Sequence, residues 1–158
     1  MAKSPYLESD HRLGDVIAAI QLLGTYLWAN RKIGDWATQL DTPETSGEAS
    51  WAAVFSEHPE FFRVNDLGQA SLRWRHAYDR TYNTKTGKII SVEQFNELEK
   101  VEQDKHSRPP LTAEQVQALM ATAVELHGRA IAHSQEKRWL TLALFTLLGV
   151  VLGAVLGA

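Results

Sequence analysis

The last twenty residues of the chain, Trp139 to Ala158, constrain its structure more than any other segment. The run WLTLALFTLLGVVLGAVLGA contains no charged side chain, and its polar side-chain groups are those of Trp139, Thr141 and Thr146. A helix rises about 1.5 Å per residue, so a segment of this length spans roughly 30 Å, the thickness of the hydrocarbon core of a bilayer. The alternative is a buried core helix, but such a helix is seldom apolar on all sides over this length. The run therefore predicts one C-terminal transmembrane helix over residues 139–158.

The residues beside this run predict its orientation. Lys137 and Arg138 precede it directly, and Trp139 stands at its edge. Basic flanks stay on the cytoplasmic side and tryptophan favours the membrane–water interface, so these three residues are candidate interface anchors. We therefore expect a tail-anchored, single-pass membrane protein whose N-terminal domain faces the cytosol, with the lipid bilayer as one partner.

Three glycines in the same run lie four residues apart. Gly149, Gly153 and Gly157 share one face of the expected helix. Glycine lets two helix backbones approach closely in lipid, so the row predicts helix association, either as a homo-oligomer or with a different protein. The alternative is that the spacing is incidental, since glycine is common in membrane helices.

The N-terminal half of the chain shows helical periodicity. Between residues 11 and 30 apolar side chains recur at spacings of three and four, which predicts an amphipathic first helix. Its apolar residues are Leu13, Val16, Ile17, Ile20, Leu23 and Leu27. A second, shorter helix is expected from Ile33 to Leu40, and a third from Trp51 to near Pro59. These three helices account for most of the apolar residues before the first aromatic strand.

A β-hairpin is expected directly after the third helix. Phe61 to Val64 and Ala70 to Trp74 flank a turn-forming segment, residues 65–68. Three short helices followed by a hairpin, over residues 13–75, resemble the winged-helix superfamily in element order and apolar spacing. The alternative is an unrelated small α+β domain. The resemblance implies a mostly α fold with a small β-hairpin.

Two helix starts follow a polar connector over residues 78–90. Ser91 with Gln94, and Thr112 with Gln115, have the spacing of a capping box. The first helix should end before the paired prolines at 109–110, and the second has no helix breaker before the C-terminus. We expect a helical hairpin stalk over residues 91–138, between a winged-helix-like domain at 1–90 and the span at 139–158. A weak heptad over residues 116–130 could pack on the preceding helix or on another chain.

Charge is distributed unevenly along the N-terminal domain. Every charged residue from Ile33 to Phe62 is acidic, whereas residues 63–88 contain six basic and two acidic residues. In the usual winged-helix mode the third helix enters the DNA major groove, but here that helix is acidic and would repel phosphates. The candidate partner-binding patch is instead the basic wing, formed by Arg63, Arg73, Arg75 and Arg80. Strand alternation places Arg73 and Arg75 on one exposed face, available to a protein, an anionic lipid or a phosphate.

The sequence contains few signs of catalysis. It has no cysteine, its six histidines show no HxxxH or HExxH spacing, and it carries no phosphate-binding glycine motif or nucleophile motif. We therefore expect no enzyme, no metal site and no cofactor.

These features favour a protein-binding adaptor or regulator, with an unidentified protein as its partner. An alternative is an oligomeric, channel-like or membrane-permeabilising effector assembled through the glycine row. A membrane-tethered DNA-binding regulator ranks lower because of the acidic third helix, so nucleic acid is an unlikely partner.

Overall fold

The computed structural model describes the backbone of residues 4–156 and the side chains of residues 4–135. The elements in this part of the chain are a 3-10 turn at Pro5–Leu7, α1 (Arg12–Thr25), β1 (Arg31–Lys32), α2 (Ile33–Leu40), α3 (Gly47–Glu57), β2 (Phe62–Val64), β3 (Gln69–Leu72), a 3-10 turn at Arg73–Ala77, β4 (Tyr82–Asn83), α4 (Val92–Glu97), α5 (Lys100–Gln103), β5 (His106–Ser107) and α6 (Ala113–Leu156).

The three expected helices and the hairpin occur as α1, α2, α3 and β2–β3. Helix α1 ends at Thr25, earlier than expected, because Tyr26 is extended and turns the chain toward β1. Its fully buried face is formed by Val16, Ala19, Ile20 and Leu23. This face packs with Trp36, Trp51 and Phe55 of α2 and α3 in the main hydrophobic core.

A three-stranded antiparallel sheet covers one side of this core. The strand order is β1-β3-β2, with Arg31 opposite Ala70 and Phe62 opposite Leu72. The indole Nε1 of Trp36 donates a hydrogen bond of 3.0 Å to the Ala70 carbonyl oxygen, which ties α2 to the central strand. Strand β3 ends at Leu72, and a 3-10 turn replaces the rest of the expected strand.

A second, two-stranded sheet forms after this turn. Tyr82–Asn83 of β4 pairs with His106–Ser107 of β5, so residues on both sides of the expected boundary at 90/91 lie in one ladder. The capping box at Ser91 is present, as expected. The helix it begins is short, because Leu98 has an extended backbone and separates α4 from α5.

The first part of α6 packs against α1. Thr112 and Gln115 form the expected capping box at its start. Val116 and Ala123 are buried in the main core, and Gly24 of α1 allows the close approach, with Val116 Cγ2 only 3.0 Å from where a Cβ would lie. The heptad therefore packs within its own chain on α1, and the predicted pairing with the Ser91 helix in a hairpin stalk is wrong.

The described structure also contradicts the predicted membrane span. Among the described residues, no helix combines the length and the apolar character that crossing a bilayer requires. The part of α6 whose side chains are described is amphipathic, because its apolar side packs on α1 while Glu125 and Arg129 are exposed. The predictions of a transmembrane, tail-anchored protein with a cytosolic N-terminal domain are corrected on this finding.

Several residues named for that span lie outside the described side chains. They are the interface anchors Lys137, Arg138 and Trp139 and the glycines Gly149, Gly153 and Gly157.

Candidate arginine-lined binding site

The four arginines of the predicted wing patch occupy different environments. Arg63 is exposed on β2, Arg73 is exposed at the start of the second 3-10 turn, and Arg80 is exposed just before β4. Arg75, in contrast, has no solvent-exposed surface. The expected strand face carrying both Arg73 and Arg75 does not form, because the strand ends at Leu72 and the 3-10 turn points the two side chains in different directions.

The buried guanidinium of Arg75 is bound by backbone carbonyl oxygens. Its Nη1 donates to the Leu23 and Tyr26 carbonyls at 2.9 and 2.7 Å. Its Nη2 and Nε donate to the carbonyls of Arg108 and Pro109 at 2.5 and 3.1 Å. Two longer contacts of 3.5 Å reach the Leu27 and Trp28 carbonyls. Arg75 therefore fastens the end of α1 to the segment that precedes α6.

Two features make a buried cation tolerable at this position. The carbonyls at the C-terminus of a helix carry partial negative charge, and α1 ends here. The planar guanidinium also presents five N–H donors, which several carbonyl oxygens can satisfy together. Burial, with a smaller contribution from Arg108, lowers the pKa of Arg75 to about 10, so the side chain stays charged at neutral pH.

A fifth arginine, Arg108, belongs to the same surface but was not predicted. Its backbone carbonyl accepts from Arg75, yet its side-chain Nε is buried and has no hydrogen-bond partner in the part of the chain that the structure describes. Burial, followed by the positive charges of Arg80 and Arg63, lowers its pKa, whereas Asp79 opposes this effect. Its neighbours in sequence, Pro109 and Pro110, suggested only a helix break.

His76 lies close to the positive charges of several of these arginines. It is partly buried, and its Nε2 lies 2.8 Å from the Ser71 hydroxyl. Burial lowers its pKa most, and the nearby charges of Arg108, Arg63, Arg73 and Arg75 lower it further. These arginines therefore act together on one location, although they come from residues 45 positions apart in sequence.

We define the arginine cluster as Arg63, Arg73, Arg80 and Arg108. Within the described residues, none of the four forms a salt bridge; the five ion pairs there involve Arg12, Arg31, His58, Lys105 and Arg129. Arg80 is held by weak contacts to the Gln103 and His106 carbonyls at 3.4 and 3.2 Å. The cluster thus presents positive charge that no salt bridge in the described structure neutralises.

A cleft of about 330 Å³ opens at one end of the cluster. It lies between the β1–β3 side of the first sheet and the β4–β5 ladder, and Arg75 contacts the backbone on both of its sides. It is lined by Trp28, Asn30, Gln69, Arg80, His106, Ser107 and Arg108. No acidic residue is among these lining residues.

A second polar cluster connects the N-terminal turn to the segment that follows α3. His58 is fully buried, with Nδ1 3.0 Å from Glu60, and the Tyr6 hydroxyl donates to the same carboxylate at 2.8 Å. The Tyr6 ring also packs edge-on against the rings of His58 and His127. This cluster holds the N-terminal turn against α3 and α6. Neither this cluster nor any other group of three His, Asp or Glu side chains in the described residues is placed to hold a metal ion.

Comparison of the chain with protein-family models, with curated proteins and with solved structures found no match.

Proposed function

We propose that this chain is a non-catalytic binding module whose arginine cluster recognises an acidic surface on a protein partner. The observation that carries the proposal is that none of the four arginines forms a salt bridge in the described structure. The chain as a whole has a formal net charge of −3, so a basic surface is not a consequence of overall composition. A complementary acidic surface would be steered to it by charge.

The element order supports a winged-helix-like scaffold for this module. Helices α1, α2 and α3 and strands β1, β2 and β3 follow one another as α-β-α-α-β-β, with β3 between β1 and β2. In such a scaffold β2 and β3 form the wing, and Arg63 and Arg73 lie on it or directly after it. The wing, rather than the third helix, is then the binding element.

Exposed apolar side chains beside the arginines suit a protein partner. Val64 and Leu67 lie at the tip of the β2–β3 hairpin, and Trp74 is 39% exposed next to Arg73. Tryptophan and arginine are the residue types most enriched among the energetic centres of protein interfaces. On such a surface the apolar side chains exclude water from the contact, and the arginines select for a negatively charged partner.

The third helix argues against the usual DNA-binding mode. Helix α3 carries Glu48 and Glu57 and no basic residue. Its large apolar residues, Trp51, Val54 and Phe55, are buried in the core and are not available for contacts in a groove. Helix α3 therefore offers neither the phosphate contacts nor the base contacts that groove binding requires.

The test uses a fluorescein-labelled, glutamate-rich peptide containing one tyrosine, with fluorescence anisotropy as the measurement. We expect the full chain to bind it, with affinity that falls as salt is raised. Replacing Arg63 and Arg73 together with glutamine should weaken binding roughly tenfold, since each exposed charge contact contributes up to about 1 kcal/mol. Arg129→Gln, an exposed arginine paired with Glu125 on α6, is the matched control and should leave binding unchanged.

Two results would contradict the proposal. One is equal affinity of the wild type and the Arg63/Arg73 double variant for the peptide. The other is tighter binding to a DNA duplex of equal charge than to the peptide, which would make the surface a nucleic-acid site.

A further inference from the structure

We propose that the cleft at this end of the arginine cluster, lined by Trp28, Arg80 and Arg108, is a small-molecule site that binds a nucleoside monophosphate. The inference does not depend on the protein partner proposed above. It rests on the hydrogen-bonding state of the lining residues, on the charge of the cleft, and on its size.

The lining groups that remain available are predominantly donors. Gln69 uses its side-chain oxygen to accept from Asn65, which leaves its Nε2 amide hydrogens free among the described residues. Ser107 Oγ accepts from the Ala29 backbone N–H at 2.9 Å, so its own hydroxyl hydrogen is left to donate. Arg108 donates to no described residue through Nε. A cleft that offers donors from a guanidinium, an amide and a hydroxyl is complementary to an oxygen-rich anion.

The positive charge of the cleft also favours an oxygen-rich anion. Arg80 and Arg108 both line it, and the charge of Arg80 helps to lower the pKa of the partly buried Arg108. A phosphate placed between these two cations would offset their repulsion and accept hydrogen bonds from the free N–H groups. Guanidinium groups bind the oxygens of phosphates and carboxylates in pairs, but a phosphate monoester has three terminal oxygens and can therefore bind two guanidinium groups at once.

The remaining lining residues suit a planar ring attached to the phosphate. Trp28 is 38% exposed, so its indole presents an accessible surface at the cleft. Stacking of a base on an aromatic side chain contributes about 1–3 kcal/mol. Asn30 and Gln69 place amide groups beside it, and side-chain amides pair with the edges of nucleobases. The cleft, at about 330 Å³, is at the lower end of the range for small-ligand pockets, which fits one nucleotide rather than two.

The fold holds both ends of this site in place through Arg75. That side chain donates to the carbonyl of Arg108 and contacts the carbonyl of Trp28. The donor for the phosphate and the ring for the base are thereby fixed to one buried group. Arg75 is a positioning residue and does not line the cleft.

The experiment is a calorimetric titration of the full chain with the four common nucleoside 5′-monophosphates. Ribose 5-phosphate and adenosine serve as ligands that carry only the phosphate or only the ring. We expect at least one monophosphate to bind, and both partial ligands to bind at least about tenfold more weakly, since each lacks contacts that contribute more than this factor.

Two variants locate the site. Arg108→Gln should weaken binding at least about tenfold, because it removes a charge-assisted contact to phosphate. Arg63 lies outside the lining of the cleft, so Arg63→Gln should change nucleotide affinity less than threefold. The same variant should lower the affinity for the acidic peptide. Both variants should remain folded by circular dichroism, because in the described structure neither side chain forms a hydrogen bond or an ion pair. The NMR signal of the Trp28 indole N–H should shift on addition of the nucleotide.

The proposal is overturned if none of the four monophosphates binds to the folded chain. It is also overturned if inorganic phosphate binds as tightly as the best nucleotide, or if Arg108→Gln leaves nucleotide affinity unchanged. A chain that binds nucleotide but not the acidic peptide would retain this site and lose the proposed protein-binding function, so the two failures are distinguishable.

Discussion

Arg75 and Arg108 are joined by a hydrogen bond, yet they represent opposite solutions to placing a guanidinium inside a protein. Arg75 is fully buried and its donors are satisfied by backbone carbonyls from α1, from the following loop and from the segment before α6. Arg108 is only partly buried, and its Nε has no partner in the described chain. The saturated arginine holds the fold together, and the unsaturated one is available for a ligand. Hydrogen-bond saturation, rather than charge, therefore distinguishes Arg75 from Arg108.

The most severe test of this comparison is removal of the Arg75 donors. Arg75→Met keeps an unbranched stem that ends near the position of Nε, but it removes the guanidinium donors and leaves several buried carbonyls unpaired. We expect the free energy of unfolding to fall by about 3–5 kcal/mol, as for other broken buried polar contacts. Urea denaturation followed by circular dichroism measures this loss. Arg63→Gln is the control, because Arg63 is exposed and its side chain forms no hydrogen bond or ion pair in the described structure, and it should change the free energy of unfolding by less than about 0.5 kcal/mol. If Arg75→Met lowers the free energy of unfolding as little as the control variant does, Arg75 does not have the structural role assigned to it.

A second test disturbs the packing that brings these two arginines together. Gly24→Val places a branched side chain where Val116 Cγ2 already lies 3.0 Å from the Cβ position, and where Leu111 also approaches. We expect a loss of about 1–3 kcal/mol from overpacking between α1 and α6. Gly14→Ala in the same helix is the matched control, since no atom lies within 4 Å of its Cβ position. It should gain about 0.5–1 kcal/mol from helix propensity. Equal destabilisation by both would show that the α1–α6 contact is not tight.

The arginine cluster should also impose a pH dependence through His76. The pKa of this histidine is lowered by burial and by the arginines, so the folded chain resists protonation where the unfolded chain accepts a proton. Its contribution to stability is complete above the unfolded value of about 6.5 and is lost as pH falls from there to the folded value. NMR titration of His76 should show its pKa rise in Arg63→Gln. An unchanged pKa in that variant would mean that the charge of Arg63 does not contribute to lowering the pKa of His76.

The smallest expected effect belongs to Arg108 itself. Arg108→Gln removes a partly desolvated charge whose Nε has no hydrogen-bond partner in the described structure. The free energy of unfolding should therefore change by no more than about 0.5 kcal/mol in either direction. Thermal denaturation without added nucleotide is the measurement. A loss as large as that of Arg75→Met would mean that the Arg108 side chain also stabilises the fold. The contrast between Arg75 and Arg108 would then be wrong.

Local structure was largely predictable from the sequence. The spacing of apolar residues predicted α1, and the observed helix differs mainly in ending at Thr25. The hairpin over β2 and β3 and the capping boxes at Ser91 and Thr112 were confirmed, because each depends on residues only a few positions apart. The continuous helix from Ala113 was also expected, since no proline interrupts it.

Predictions that depended on contacts distant in sequence were less successful. The Ser91 helix was expected to continue through Val101, but the chain turns at Leu98 to bring β5 back to β4. The expected hairpin stalk is absent because the apolar side of α6 packs on α1, and the predicted membrane anchor is contradicted within the described residues. Helical periodicity identifies an apolar face, but it does not identify which surface that face will meet.

The sequence by itself determined the positions of the first three helices, the β2–β3 hairpin, the two capping boxes and the concentration of basic residues after Arg63. Only the tertiary structure decided which arginines are exposed. Arg75 looks like Arg73 in sequence, but it meets the Leu23 carbonyl across 52 positions and the Pro109 carbonyl across 34. Arg108 joins the cluster because the β4–β5 ladder returns it to Arg80. Side-chain exposure is set by such long-range contacts, whereas helix and turn formation are set by neighbours within a few residues.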